Sequence, residues 1–140
     1  MAHGRLRTAE LTSDRKLPWT VRLRLRWVRQ HGGTGLLMHA SIREPVRSLS
    51  LKSPVVTAWE GRKDLCSVSC EGHLPRFVAL DPGTHRLTFQ VARLRGGSTS
   101  FERIVELLPG QVFLALCDPV QADVFYRRSL AEDSWTLGTV

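Results

Sequence analysis

The pattern Leu-x-Pro-Gly-x-x-x-Leu occurs twice, from Leu80-Asp81-Pro82-Gly83 to Leu87 and from Leu107-Leu108-Pro109-Gly110 to Leu114. In each copy Pro fixes φ and Gly supplies a position of positive φ, so the pattern predicts a strand end, a turn and a new strand. Such punctuation is poorly suited to a helical chain. The segments around it alternate in the same sense: His85, Leu87, Phe89 and Val91 are interleaved with Arg86, Thr88 and Gln90. Val112 to Cys117 is apolar on both faces, which predicts a central strand covered on both sides.

Further strands are expected at Leu36–Ile42, Val46–Leu51, Val55–Trp59, Cys66–Cys70, Phe77–Leu80, Phe101–Leu107, Val124–Tyr126 and Trp135–Leu137. The clearest alternation lies nearer the start. Trp19, Val21, Leu23, Leu25 and Trp27 take every second position, with Thr20, Arg22, Arg24 and Arg26 between them. This predicts a half-buried strand with its tryptophans in the core and a cationic outer face. His31-Gly32-Gly33-Thr34-Gly35 then reads as a hairpin loop. Short strands about ten residues apart, with no long helical period, predict an all-β fold. Its expected form is an Ig-like or transthyretin-like antiparallel β-sandwich of about 7–9 strands. Residues 1–17 lack a sustained apolar period and read as a flexible basic arm before a single sandwich domain, residues 18–140.

Phe77 to Leu116 resembles the small sandwich modules called PEGA domains, and related Ig-like and transthyretin-like modules. The resemblance rests on Val78-Ala79-Leu80-Asp81-Pro82-Gly83-Thr84-His85-Arg86-Leu87 and on the return Phe101 to Leu107 with Leu108-Pro109-Gly110-Gln111. Extended upstream through His39–Val46 it takes in about residues 36–117, although the Asp-Gly turn of such modules is missing. The resemblance implies a non-enzymatic interaction or accessory module and carries no catalytic residues.

The charge is lopsided. Of a net +7, residues 1–30 supply +6, and arginines outnumber lysines seventeen to three. Phosphate or carboxylate recognition favours Arg, and GC-rich coding produces the same excess. The candidate binding set is Arg5, Arg7, Arg15, Lys16, Arg22, Arg24, Arg26 and Arg29. On a strand, Arg22, Arg24 and Arg26 would form a ladder at about 6.6 Å intervals, suited to phosphates or an acidic protein surface, or serving as a solvated edge. With both tryptophans assigned to the opposite face, stacking platforms for a nucleic acid are missing.

Cys66, Cys70 and His73, with Cys117 as a fourth group, form the one candidate metal set, although its C-x3-C start is wider than the usual zinc knuckle. As strand residues Cys66 and Cys70 would be about 13 Å apart, too far for a disulfide. Core packing is the favoured reading, and no cofactor is expected. No serine has the Gly-x-Ser-x-Gly setting of a nucleophile elbow. Glu102 and Glu106 fall on one outward strand face, and His85 is expected to pack or bond to backbone. An enzyme is therefore not expected.

Trp135 is expected to close one end of the core. The loops best placed for protein contact are the two Pro-Gly turns and the Gly96–Ser100 hairpin tip. No apolar run could cross a bilayer, and no apolar segment follows the basic residues of Met1–Lys16, so the expected compartment is the cytoplasm. The expected function is a non-catalytic module that binds a macromolecular partner, with a homodimer as one form. The alternative is an anion- or nucleic-acid-binding protein using the Arg-rich arm and strand.

Overall fold

A computed structural model of the chain describes residues 6–13, 16–40, 55–69, 74–92, 98–119 and 133–140. The elements in chain order are β1 (Leu6–Glu10), α1 (Trp19–Gln30), β2 (Gly35–Ala40), β3 (Val55–Glu60), β4 (Lys63–Ser69), β5 (Arg76–Ala79), β6 (Gly83–Ala92), β7 (Ser98–Leu107), β8 (Val112–Pro119) and β9 (Asp133–Thr139). They form an all-β sandwich with one helix. A five-stranded sheet has the order β1-β9-β8-β2-β5 and a four-stranded sheet the order β4-β3-β6-β7. The pairings are antiparallel except β2 with β8 and β1 with β9. The expected strands Val46–Leu51 and Val124–Tyr126 lie outside the described residues.

Both Pro-Gly turns serve one architectural purpose. Leu80–Pro82 carries the chain from β5 to β6, and Leu108–Gln111 carries it from β7 to β8, so each copy switches sheets. The two glycines have φ of 135° and 83°, as the turn reading requires. The turns lie side by side, because Gly83 is paired with Leu107. Thr34 ties both to the five-stranded sheet: its carbonyl accepts from Leu80 N–H at 2.9 Å, and its hydroxyl from Gly110 N–H at 2.7 Å.

The main core lies between the sheets. Leu36, Met38 and Ala40 of β2 face Val56, Ala58, Leu87, Phe89 and Val91, and Phe113, Ala115 and Cys117 of β8 join them. Trp135 is fully buried, with ring centroids of Phe89 and Phe101 at 5.4 and 5.2 Å. A second core lies on the other face of the five-stranded sheet. There Leu37, Val112, Leu114 and Leu116 pack against Val21, Leu25 and Val28 of α1. This explains why β8 is apolar on both faces: one faces the opposing sheet and the other faces the helix.

The segment Trp19–Gln30 is therefore a helix and not a strand. Alternation over Trp19–Trp27 fits a strand, but Val28 breaks it by falling on the polar face. The spacing Val21, Leu25, Val28 is a helical i, i+4, i+7 stripe. Leu and Arg, which dominate the segment, are strong helix formers, and Pro18 stands at the N-cap, where its missing N–H costs nothing. The helix gains by covering apolar sheet that would otherwise be wet, at about 1.5–3 kcal/mol per buried Val or Leu side chain.

Nor is the glycine-rich stretch a hairpin loop. It ends the helix in a Schellman motif: Gly32 N–H donates to Arg29 O at 3.1 Å and Gly33 N–H to Val28 O at 3.0 Å. Gly32 takes the left-handed φ of 67° that this motif requires.

Part of the expected arm is also ordered into the sandwich. Leu6–Glu10 is the edge strand β1, in parallel register with β9 from Leu6↔Asp133 to Glu10↔Leu137. Leu11 N–H continues the pairing to Leu137 O at 2.7 Å, and Leu11 and Leu17 pack into the helix-side core. Arg103 of β7 forms an ion pair with Glu10, which links the two sheets. The parallel register and the apolar contacts of two isolated leucines are long-range features that carry no local period.

Candidate functional site

The helical geometry redistributes the side chains that alternation had sorted into two faces. At about 100° per residue, Arg22, Arg26 and Arg29 fall on one exposed flank of α1, whereas Trp19, Leu23 and Trp27 form the neighbouring exposed stripe. Trp19 is 65% exposed, Leu23 55% and Trp27 46%. The tryptophans expected in the core are thus at the surface, because the sheet contact is completed by Val21, Leu25 and Val28. Arg24 lies about 200° around the helix from Arg22, with its guanidinium 4.7 Å from the Trp27 ring centroid. The proposed 6.6 Å ladder does not exist.

A groove runs beside this stripe. One wall is Trp19, Thr20, Leu23, Arg24 and Trp27 of α1, the other is Leu65 and Cys66 of β4, and Leu74–Val78 lies between them. Its volume is ≈ 710 Å³. Leu74, immediately before β5, is 71% exposed. Exposed large apolar side chains are ordinary when scattered, but four of them gathered at one groove mark an interaction surface. Among the described residues the charged side chains lining it are Arg24 and Arg76. The helix has no acidic residue in its whole length. On the opposite flank, Arg22, Leu25, Arg26, Arg29 and Gln30 line a shallower hollow of ≈ 490 Å³.

Of the remaining expected binding residues, Lys16 is exposed just before the helix. Arg7 lies in β1, in register with Ser134. Arg5 and Arg15 lie outside the described residues, so the structure brings together three of the eight, Arg22, Arg26 and Arg29 on one flank of α1, with Arg24 apart on the groove side.

The candidate metal set divides similarly. Cys70 and His73 lie outside the described residues. Cys66 and Cys117 are both buried among the apolar side chains between the sheets. Burial pushes the Cys66 thiol up to about 11, against a smaller lowering by Arg76, with Asp64 adding to the rise. Such a thiol is protonated at neutral pH, the opposite of a primed metal ligand or nucleophile. Among the described residues no three His, Cys, Asp or Glu side chains are grouped so as to hold a metal ion.

His85 stands at the first Pro-Gly turn and bonds to backbone, as its position suggested. Nε2 lies 2.6 Å from Asp81 O and Nδ1 bonds the Glu60 carboxylate. Burial alone would lower its pKa, but the Asp81 carbonyl and the Glu60 carboxylate outweigh it and the net shift is upward. With an acceptor at each nitrogen, the ring is set up as an imidazolium that clamps the β3–β4 turn to the β5–β6 turn.

The outward face of β7 carries Glu102, Ile104 and Glu106 in the open, with Arg86 3.5 Å from Glu102. At the second Pro-Gly turn Leu108 is exposed, and its N–H donates to Gln111 Oε1 at 2.9 Å. The hairpin tip at Gly96 and Gly97 lies outside the described residues. No described helix is long and apolar enough to cross a membrane.

No family model matches the chain, and no curated protein or solved structure does.

Sequence reasoning found the arginines of α1 and missed the groove. The available signal was the second helical stripe, Trp19, Leu23 and Trp27, at i, i+4 and i+8. Two large stripes on one short amphipathic helix exceed what a single sheet contact can bury.

Proposed function

We propose that this chain is a non-catalytic interaction module that binds a macromolecular partner, a protein in the first instance, through the outward face of α1. The observation that carries this reading is the convergence of exposed Trp19, Leu23, Trp27 and Leu74 on one groove. Tryptophan and arginine are the residue types most often found at the energetic centre of protein interfaces. Trp27 is also prearranged between Arg24 and His31, whose ring centroid is 4.2 Å away, so less side-chain freedom is lost on contact. The PEGA-like character of residues 36–117 and a cytoplasmic setting belong to the same proposal, supported by the paired Pro-Gly turns and the lack of a membrane-crossing helix among the described residues.

The test is affinity capture from the native host with the full chain and with a Trp19→Ala/Trp27→Ala variant, read by mass spectrometry. A stoichiometric protein held by the parent and lost from the variant is expected. A stoichiometric partner held equally by both removes this face as the binding site.

A second reading has a specific observation behind it. Arg22, Arg26 and Arg29 share one flank of α1, and two accessible tryptophans stand beside them. Cations next to stacking platforms suit a single-stranded nucleic acid. In that case capture collapses on nuclease treatment, and log affinity falls linearly with log salt.

A further inference from the structure

The groove beside α1 has a sheet edge as its floor. β5 is the last strand of the five-stranded sheet, and among the described residues nothing pairs with its outer side. Leu80 N–H donates to Thr34 O, and the register runs on through Leu36↔Val78 to Met38↔Arg76. The alternation of an antiparallel ladder then turns the amides and carbonyls of Phe77 and Ala79 away from β2. Side chains from both faces of the edge, Phe77 toward the helix-side core and Val78 toward the inter-sheet core, border the same groove. The walls stand on either side, Trp19, Leu23 and Trp27 from α1 and Leu65 from β4.

From this the geometry points to strand addition. An extended, acidic and apolar segment of a partner protein lies along β5 as the next strand of the five-stranded sheet. This rests on the protein-binding reading above and specifies its occupant. Three features select that chemistry. The outward amides and carbonyls of β5 offer ladder hydrogen bonds to an extended backbone and none to a helix, whose backbone is already satisfied. Side chains of an added strand alternate toward the two walls, both apolar, so aliphatic or aromatic residues are favoured at both sets of positions. Among the described residues the charged side chains that line the groove are Arg24 and Arg76, so a segment that brings anions is favoured. A basic segment would meet two like charges.

The edge is short, four residues from Arg76 to Ala79. Short edge strands limit indiscriminate edge-to-edge pairing. Selectivity therefore falls to the walls and the two arginines, with the backbone supplying direction and register.

The experiment uses the full chain as bait for a displayed library of random twelve-residue peptides. An enriched peptide is then synthesised with single backbone N-methyl groups at each position in turn. Enriched sequences should combine Asp or Glu with aliphatic and aromatic residues. N-methylation should weaken binding by about tenfold or more at every second residue of the contact region and little between them, since only alternate amides face β5. Arg24→Glu and Arg76→Glu, both at exposed positions, should each weaken the peptide by about tenfold while circular dichroism stays that of the parent. The N-methyl scan leaves the protein untouched, so it decides the matter even if a variant folds poorly.

A neutral or basic consensus, an N-methyl profile without a period of two, or failure to enrich any sequence overturns strand addition. If a native partner is still lost from the Trp19→Ala/Trp27→Ala variant, the binding reading survives that result and the strand alone is removed. A partner indifferent to both tryptophans removes the reading itself.

Discussion

The Arg24 guanidinium lies 4.7 Å from the centroid of the Trp27 ring, on the solvent side of α1. His31 closes the other side of the same turn: its ring centroid is 4.2 Å from that of Trp27, and its Nδ1 is 2.8 Å from Trp27 O. A large apolar ring is thus held in place at the surface while Val28, its chain neighbour, is buried. The helix separates a structural stripe from an exposed one, and the two should respond differently to substitution.

Truncating the exposed stripe should cost little stability. Trp19→Ala, Leu23→Ala and Trp27→Ala should each change the unfolding free energy by no more than about 0.5–1 kcal/mol. Leu25→Ala should cost about 2–4 kcal/mol, because it opens a cavity against Leu37 and Leu114. Urea denaturation with a shared m-value measures both. A half-buried strand would give the reverse order, with Trp19 and Trp27 the most sensitive positions.

Most of the β framework was legible because it is local. Pro82-Gly83 and Pro109-Gly110 mark strand boundaries by steric necessity, and the alternation of His85–Val91 and the two-faced apolar run Val112–Cys117 follow from burial on one side or two. The helix was not legible from alternation, because Trp19, Val21, Leu23, Leu25 and Trp27 satisfy a period of two over nine residues. Tertiary context decided the matter: the outer face of β2 and β8 needed a cover, and Val21, Leu25 and Val28 provided it. Strand β1 was hidden for a related reason. Its pairing with β9 joins residues more than 120 positions apart. The groove depends on both features, since one wall is the misassigned helix and its floor is an edge that only strand order reveals.

The His85–Glu60 contact makes a pH-dependent contribution to stability. The folded-state pKa of His85 is raised above its ordinary 6.5. Its contribution is therefore fully present below pH 6.5 and is lost as the pH rises through the higher folded-state value. Relative to the parent, His85→Asn should lose about 1.5–3 kcal/mol at low pH, the range for a hydrogen bond to a charged group. The deficit should shrink at pH 9. Urea midpoints of the two proteins at pH 5.5 and pH 9 give the comparison, and a deficit that grows with pH would mean that the ring is not held as the cation.

Gly35 is constrained by a neighbouring strand. A Cβ built on it would come within 2.1 Å of Val78 O and 2.9 Å of Leu80 N, both backbone atoms of the segment that pairs with β2. Neither can move without opening the β2–β5 ladder. Gly35→Ala should cost at least the ~1–3 kcal/mol typical of overpacking, and hydrogen exchange should accelerate first at β5 amides. Gly61→Ala is the control: it meets no atom within 4 Å, although φ there is +61°. It should cost about 1–2 kcal/mol from the left-handed backbone alone.

Cys66 gives a chemical test of its inward placement. The thiolate is the reactive form, and a pKa of about 11 in place of 9.0 leaves about a hundredfold less of it near neutral pH. Burial against Ala58 and Val68 of the same core adds a steric block. In a Cys70→Ser/Cys117→Ser background, the remaining thiol should therefore react with iodoacetamide at least about a hundredfold more slowly in the folded protein than in urea at the same pH. Rapid native labelling would place the sulfur at an accessible site and turn β4 over relative to the core.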